Sequence, residues 1–104
     1  MRRLIQLAVS TGLVFHSGAA RADSAQRGFQ FVKANCSSCH AIGRYDQSPL
    51  AIAPPFRTLH ERYPVEELEE SLAEGIMTGH PTMPQFQLDG AQINQLIAYL
   101  KTLE

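Results

Sequence analysis

The chain has 104 residues, nine Lys and Arg against ten Asp and Glu, and a formal net charge of −1, a length that suits one small domain. With Arg2, Arg3 and Arg21 set aside, residues 23–104 hold six basic and ten acidic side chains, a balance that argues against binding nucleic acid or an anionic membrane surface. That acidity instead favours a basic patch on a protein partner.

The N-terminus begins Met1-Arg2-Arg3, continues through a 12-residue apolar run over 4–15, and reaches Ala20-Arg21-Ala22. A basic start, a short apolar stretch and an A-x-A ending predict a secretory signal peptide over residues 1–22, cleaved after Ala22. A membrane-spanning helix needs about 18 or more apolar residues, and Gln6, Ser10 and Thr11 interrupt this run. The Arg2-Arg3 pair also suits a twin-arginine signal, although an ordinary basic start accounts for it equally well. The domain proper is then expected over 23–104.

Asp23 and Ser24 are placed to cap a first helix running to about residue 35, with Gly28, Phe29 and Val32 at helical spacing. Directly after it stands Cys36-Ser37-Ser38-Cys39-His40, the C-x-x-C-H pattern of covalent c-type haem attachment. Two thiols at this spacing can add to the two vinyl groups of one haem, and the next histidine can bind the iron from below. The competing uses of a C-x-x-C pair fit less well. A thioredoxin-type redox site sits beside a βαβ pattern, and no strand pattern is visible. A zinc site needs two further ligands at suitable spacing, and the chain has no third cysteine.

Attachment of a c-type haem takes place outside the cytoplasm in bacteria, so the export signal and the motif support each other and point to the periplasm. A domain of this size is marginal without a staple. Burying several hundred Å² of porphyrin supplies on the order of 10 kcal/mol of gross hydrophobic stabilisation, and the apo chain is expected to fold poorly.

Beyond the motif, Gly43, Ser48-Pro49 and Ala53-Pro54-Pro55 punctuate a loop over 41–55. Residues 56–63 predict a short helix with Phe56, Leu59 and Tyr63 on one face. A stronger helix is expected over 64–74. Pro64 suits its start, and Glu66, Glu67, Glu69 and Glu70 complement the dipole. Val65, Leu68 and Leu72 form its buried stripe, and Gly75 stops it. The acidic run reads as a solvated face.

Residues 79–86 predict an irregular loop containing His80, Met83 and Pro84. Asp89 then caps the last helix, Gln92 completes a capping box, and Leu88 and Ile93 form a hydrophobic staple. Ile93, Leu96, Ile97, Leu100 and Leu103 give a continuous apolar face at helical spacing. No segment alternates as a strand, so the fold class is all-α.

A second axial ligand has four candidates, Met77, Met83, His60 and His80. It must approach the far face of the ring from a rigid, non-helical backbone. Met83 lies between Pro81 and Pro84, which limit the loop's entropy. His80, three residues away, competes. Met77 follows the helix end and reads as core, and His60 reads as a residue at the surface of the short helix.

These residues together resemble a class I cytochrome c of the small bacterial monohaem type. The likeness covers nearly all of 23–104, through Cys36-Ser37-Ser38-Cys39-His40, the Pro-rich 53–55 loop, Met83-Pro84 and the final helix with Leu96-Ile97-Ala98-Tyr99-Leu100-Lys101. It implies three main helices plus a short one wrapped around one covalently bound haem c. It also implies a close crossing of the first and last helices, with Gly28 against Tyr99. Pro54 would accept a hydrogen bond from the proximal histidine, with Pro55 as the alternative, and Phe56 would pack on the haem. Two departures stand out. Val32 occupies a position that is usually aromatic, with Phe29 or Phe31 available to compensate. No tryptophan is present to meet a haem propionate, for which Arg44, Tyr45, Arg57 and Arg62 are candidates.

The expected function is one-electron transfer rather than enzymatic turnover, with His40 and Met83 filling both axial positions. The expected partners are periplasmic redox proteins or respiratory complexes, met by transient docking of a monomer without membrane insertion. A peroxidase or gas sensor would need an open iron and polar distal groups, with His80 as the candidate distal base. A dedicated subunit of one periplasmic dehydrogenase or reductase would keep the chemistry and change the role.

Overall fold

The computed structural model describes residues 5–6, 8–12, 17–77 and 82–104. Three α-helices carry the fold: α1 (Ser17–Asn35), α2 (Leu68–Glu74) and α3 (Gly90–Lys101). Two 3₁₀ helices, Phe56–Glu61 and Val65–Glu67, lie between α1 and α2. No strand occurs among the described residues, and none of their helices is long and apolar enough to cross a membrane.

The first helix starts six residues before the expected Asp23 cap. Alanines at 19, 20 and 22 are strong helix formers and carry the helix outward. Asp23 does not cap; it pairs with Arg27 one turn on, Oδ2 to Nε 3.3 Å. The expected helix over 64–74 divides. Pro64, with ψ 129°, stands outside it; Val65–Glu67 forms a tight 3₁₀ turn, and α2 proper begins at Leu68. Short 3₁₀ entries of this kind are common at helix starts.

α1 and α3 cross closely. A Cβ placed on Gly28 would lie 2.0 Å from the Gln95 carbonyl oxygen and 2.9 Å from Tyr99 Cβ. Glycine therefore lets the two backbones touch. Beside it Phe29 packs on the Tyr99 ring, centroids 5.5 Å apart, and Val32 is wholly buried. Phe31 meets Phe86 edge-on at 6.2 Å. Phe29 and Phe31, both ahead of Val32, thus supply aromatic contacts to Tyr99 and Phe86. Leu59, Val65, Leu72, Leu88, Ile97 and Leu100 complete one apolar core.

The capping box of α3 forms as expected. Gln92 N–H donates to Asp89 Oδ1 at 2.8 Å, and Asp89 N–H to Gln92 Oε1 at 3.1 Å. Leu88 and Ile93 are both buried beneath it. Asp89→Ala is expected to cost about 1 kcal/mol, seen in a thermal melt as a fall of about 4–8 °C.

Gly75 ends α2 at φ 104°, a left-handed backbone that favours glycine. From there Ile76 N–H donates to Phe86 O at 3.0 Å, and Leu88 N–H to Leu72 O at 2.8 Å. These bonds tie the far end of the 82–88 loop to the end of α2.

Candidate functional site

The helical hydrogen bonding of α1 runs on into the cysteine motif. Cys36 and Ser37 N–H groups both donate to Val32 O, at 2.8 and 3.0 Å, and Cys39 and His40 N–H groups to Cys36 O, at 3.2 and 2.9 Å. One tight turn therefore presents both thiols and the imidazole from the end of a rigid helix. Both cysteines are free and partly buried. Burial, with a further contribution from Cys39, pushes the Cys36 thiol up to about 11. Redox-active C-x-x-C pairs have the opposite character, a lowered pKa at a helix N-terminus. Here the pair sits at a helix C-terminus, which removes the main support for a disulfide-exchange role.

His40 Nδ1 donates to the Pro54 carbonyl at 2.8 Å. A carbonyl only accepts, so Nδ1 carries a proton, and the neutral imidazole presents its lone pair at Nε2. The Pro55 carbonyl is used elsewhere, accepting from Thr58 N–H at 3.0 Å and Thr58 Oγ1 at 2.8 Å. Phe56 packs its ring on the imidazole with centroids 4.8 Å apart, and its N–H donates to Ala41 O at 2.9 Å. Pro54 and Phe56 thus hold the ring, one by a polar contact and one by an apolar one.

The loop after His40 is tied on all sides. Asp46 accepts from Gly43 N–H (2.9 Å) and Ile42 N–H (3.2 Å), and Ser48 Oγ from Ala41 N–H (2.9 Å). Leu50 N–H donates to Cys39 O at 3.1 Å. Tyr99 donates its hydroxyl to Ile42 O, linking α3 to the loop. Burial raises the Tyr99 pKa, with Asp46 adding to the effect and Arg44 opposing it. Arg44 donates to Thr102 O, and Arg57 to Asp46 O at 2.6 Å. These two arginines, candidates for a propionate, are bonded to backbone carbonyls, while Arg62 and Tyr45 are exposed.

Among the candidate second ligands, Met83 lies partly buried in the non-helical 82–88 loop. Met77 does not join the core as its sequence context suggests; it is 84% exposed. The α2 helix ends at Glu74; beyond Gly75 it is Ile76 that packs against the core, and Met77 lies outside it. His60 is exposed on the 3₁₀ helix, and His80 lies outside the described residues.

The family model for cytochrome c matches residues 25–104, which include the cysteine motif, the Pro54 loop, Met83 and α3. The chain belongs to the cytochrome c family. It is 30% identical over 87 residues to cytochrome c-552 of Bradyrhizobium diazoefficiens, an overlap that covers 84% of this chain and 82% of that one. No solved structure matches. Membership makes this cytochrome an electron carrier with a covalently bound c-type haem.

The residues present fit that group. Two unbridged thiols and an imidazole with Nε2 left as acceptor form a suitable donor set. Phe31, Ile42, Phe56 and Phe86 pack against the core but stay only partly buried, which leaves apolar surface that a flat aromatic ligand would cover. Sequence reading missed the Asp46 and Tyr99 contacts that fix the loop. Asp46, three residues after Gly43, is the one readable cue, a side-chain-closed turn. The Tyr99–Ile42 bond joins residues 57 apart and leaves no local pattern.

Proposed function

We propose that this cytochrome is an exported one-electron carrier whose single haem c is attached through Cys36 and Cys39 and held axially by His40 and Met83. The observation that carries the reading is the 2.8 Å bond from His40 Nδ1 to Pro54 O. That bond fixes the tautomer, aims Nε2 and raises its basicity, as carbonyl partners of metal-binding histidines do. The haem, when bound, supplies an iron that alternates between Fe(II) and Fe(III).

Met83 contributes a soft thioether, which favours the reduced iron and raises the potential relative to a second histidine. Its partial burial, against the exposure of Met77, supports the choice between the two. Export rests on the signal peptide over 1–22. Ala19, Ala20, Arg21 and Ala22 are exposed, so cleavage after Ala22 would remove no buried contact from those positions. The domain would then work in the periplasm as residues 23–104, docking transiently on redox proteins or respiratory complexes.

The absorption spectrum of the reduced holoprotein, with and without carbon monoxide, tests this. An unchanged spectrum is expected, because both axial positions are filled. A prompt carbon monoxide adduct would overturn the carrier reading in favour of a gas-binding or peroxidatic site. Met83→Ala is expected to bind carbon monoxide and to lower the potential by on the order of 0.1 V, within the ~0.8 V that axial ligation spans. A variant that neither binds the gas nor changes potential would remove Met83 from the coordination sphere.

A further inference from the structure

All four backbone polar groups of Ala41 and Ile42, the two residues after His40, are bonded to partners outside the pair. Ala41 N–H donates to Ser48 Oγ at 2.9 Å, and Ile42 N–H to Asp46 Oδ2 at 3.2 Å. Ala41 O accepts from Phe56 N–H at 2.9 Å, and Ile42 O accepts from the Tyr99 hydroxyl. Ala41 is wholly buried, where such groups need partners. Ser48 and Asp46 belong to the same loop, Phe56 opens the first 3₁₀ helix, and Tyr99 lies on α3.

The Phe56 bond reaches the imidazole. Pro54, whose carbonyl accepts from His40 Nδ1, stands two residues before Phe56, whose ring packs on His40. A shift of the 41–42 backbone is therefore passed through the Ala41–Phe56 bond to the segment that holds the His40 ring. Tyr99 is placed to resist such a shift. Its side chain is buried, packs on Phe29 and stands at the Gly28 crossing, so α1 and α3 anchor the hydroxyl together. Arg44 also ties the loop, to Thr102 O, but through a long exposed side chain. A tie with that much rotamer freedom restrains the backbone less.

We infer that Tyr99 is a positioning residue for the histidine ligand: its hydroxyl, through Ile42 O, keeps the Ala41–Phe56 and His40–Pro54 bonds aligned and so biases the balance between Fe(II) and Fe(III). The role rests on His40 as an axial ligand. Its sign follows from the Pro54 bond. That bond makes Nε2 the stronger donor, and a stronger donor favours the ferric iron. Weakening the bond therefore favours the ferrous iron. Water can satisfy a vacated Ile42 carbonyl, but a water molecule is not attached to α3 and restrains nothing.

Tyr99→Phe removes the hydroxyl and keeps the ring. In the reduced, diamagnetic holoprotein, proton resonances report the His40 Nδ1–H directly. Its exchange with solvent is expected to be about fivefold faster in the variant, the worth of one net hydrogen bond. At a fixed applied potential the ratio of reduced to oxidised protein should rise about twofold, because only part of that loss reaches the imidazole. Asp89→Ala is the control, since it destabilises the opposite end of α3 and touches neither bond. It should lower the melting temperature and leave both readings at the parent values. Parent values in Tyr99→Phe would overturn the proposal. So would changes in the two variants that simply follow the fall in melting temperature, the mark of a purely structural tyrosine. A parent whose His40 ring protons carry no ring-current shift from the haem would remove His40 as ligand and overturn both readings. Shifted protons in a parent whose Tyr99→Phe variant does not respond would overturn the positioning role alone.

Discussion

Replacing both Cys36 and Cys39 by serine is expected to abolish covalent haem capture and to leave the chain largely unfolded. The physical reason lies in how little the polypeptide buries by itself. Val32 and Val65 are the largest side chains with under 2% of their surface exposed, and Phe31, Ile42, Phe56 and Phe86 remain partly open. A domain this small sits near the limit at which apolar burial offsets chain entropy. Haem burial supplies on the order of 10 kcal/mol gross, comparable to the whole net stability of ~5–15 kcal/mol typical of a domain. Serine matches the cysteine in size but forms no thioether. Cys36→Ser alone should leave at most one thioether and a low holoprotein yield. Acid–organic extraction of the haem, followed by far-ultraviolet circular dichroism of the remaining chain, reads both effects. Retention of unextractable haem by the double variant would refute attachment through these two sulfurs.

The parts of the fold that could be read from the sequence are those whose determinants lie within one or two turns. The Asp89–Gln92 capping box needs four consecutive residues and forms, and Leu88 and Ile93, which flank its start, are both buried. The Cys36–His40 turn is equally local. The start of α1 was not legible. Asp23 has the chemistry of a cap, but helix formers precede it and Arg27 offers its carboxylate a partner one turn later. Met77 reads as core from its position after an amphipathic helix, yet the helix has ended before it and Ile76 takes the core-facing place. The choice between Pro54 and Pro55 depends on which carbonyl faces the imidazole. Two adjacent prolines look alike in sequence, and the three-dimensional path separates them. The ties from Tyr99, Arg44 and Arg57 to the 42–46 segment and the chain end are long-range contacts of single hydrogen bonds, without periodicity or motif.

Gly28→Ala is expected to destabilise the holoprotein by about 3 kcal/mol, the upper part of the usual range for forcing extra volume into a packed interior. Two effects oppose each other. Alanine is the better helix residue by about 1 kcal/mol, which alone would raise stability. The added Cβ, however, would sit 2.0 Å from Gln95 O, 2.7 Å from Gln95 C and 2.9 Å from Tyr99 Cβ. The first two atoms are backbone within α3 and cannot rotate aside. The helices must separate or slide instead, and either motion loosens the Phe29–Tyr99 contact and the Tyr99–Ile42 bond. The disturbance therefore travels to the loop that follows His40. A thermal melt should show a fall of ~10–25 °C. Gly90→Ala provides the control, because a Cβ there meets nothing within 4 Å and the backbone needs no left-handed conformation. That variant should gain about 0.4–1 kcal/mol through a less flexible unfolded chain. If both glycine variants melt at or above the parent temperature, the two helix backbones are not in contact at Gly28. If Gly28→Ala alone falls, and its haem spectrum shifts with it, the crossing of α1 and α3 is what holds the His40 loop in place.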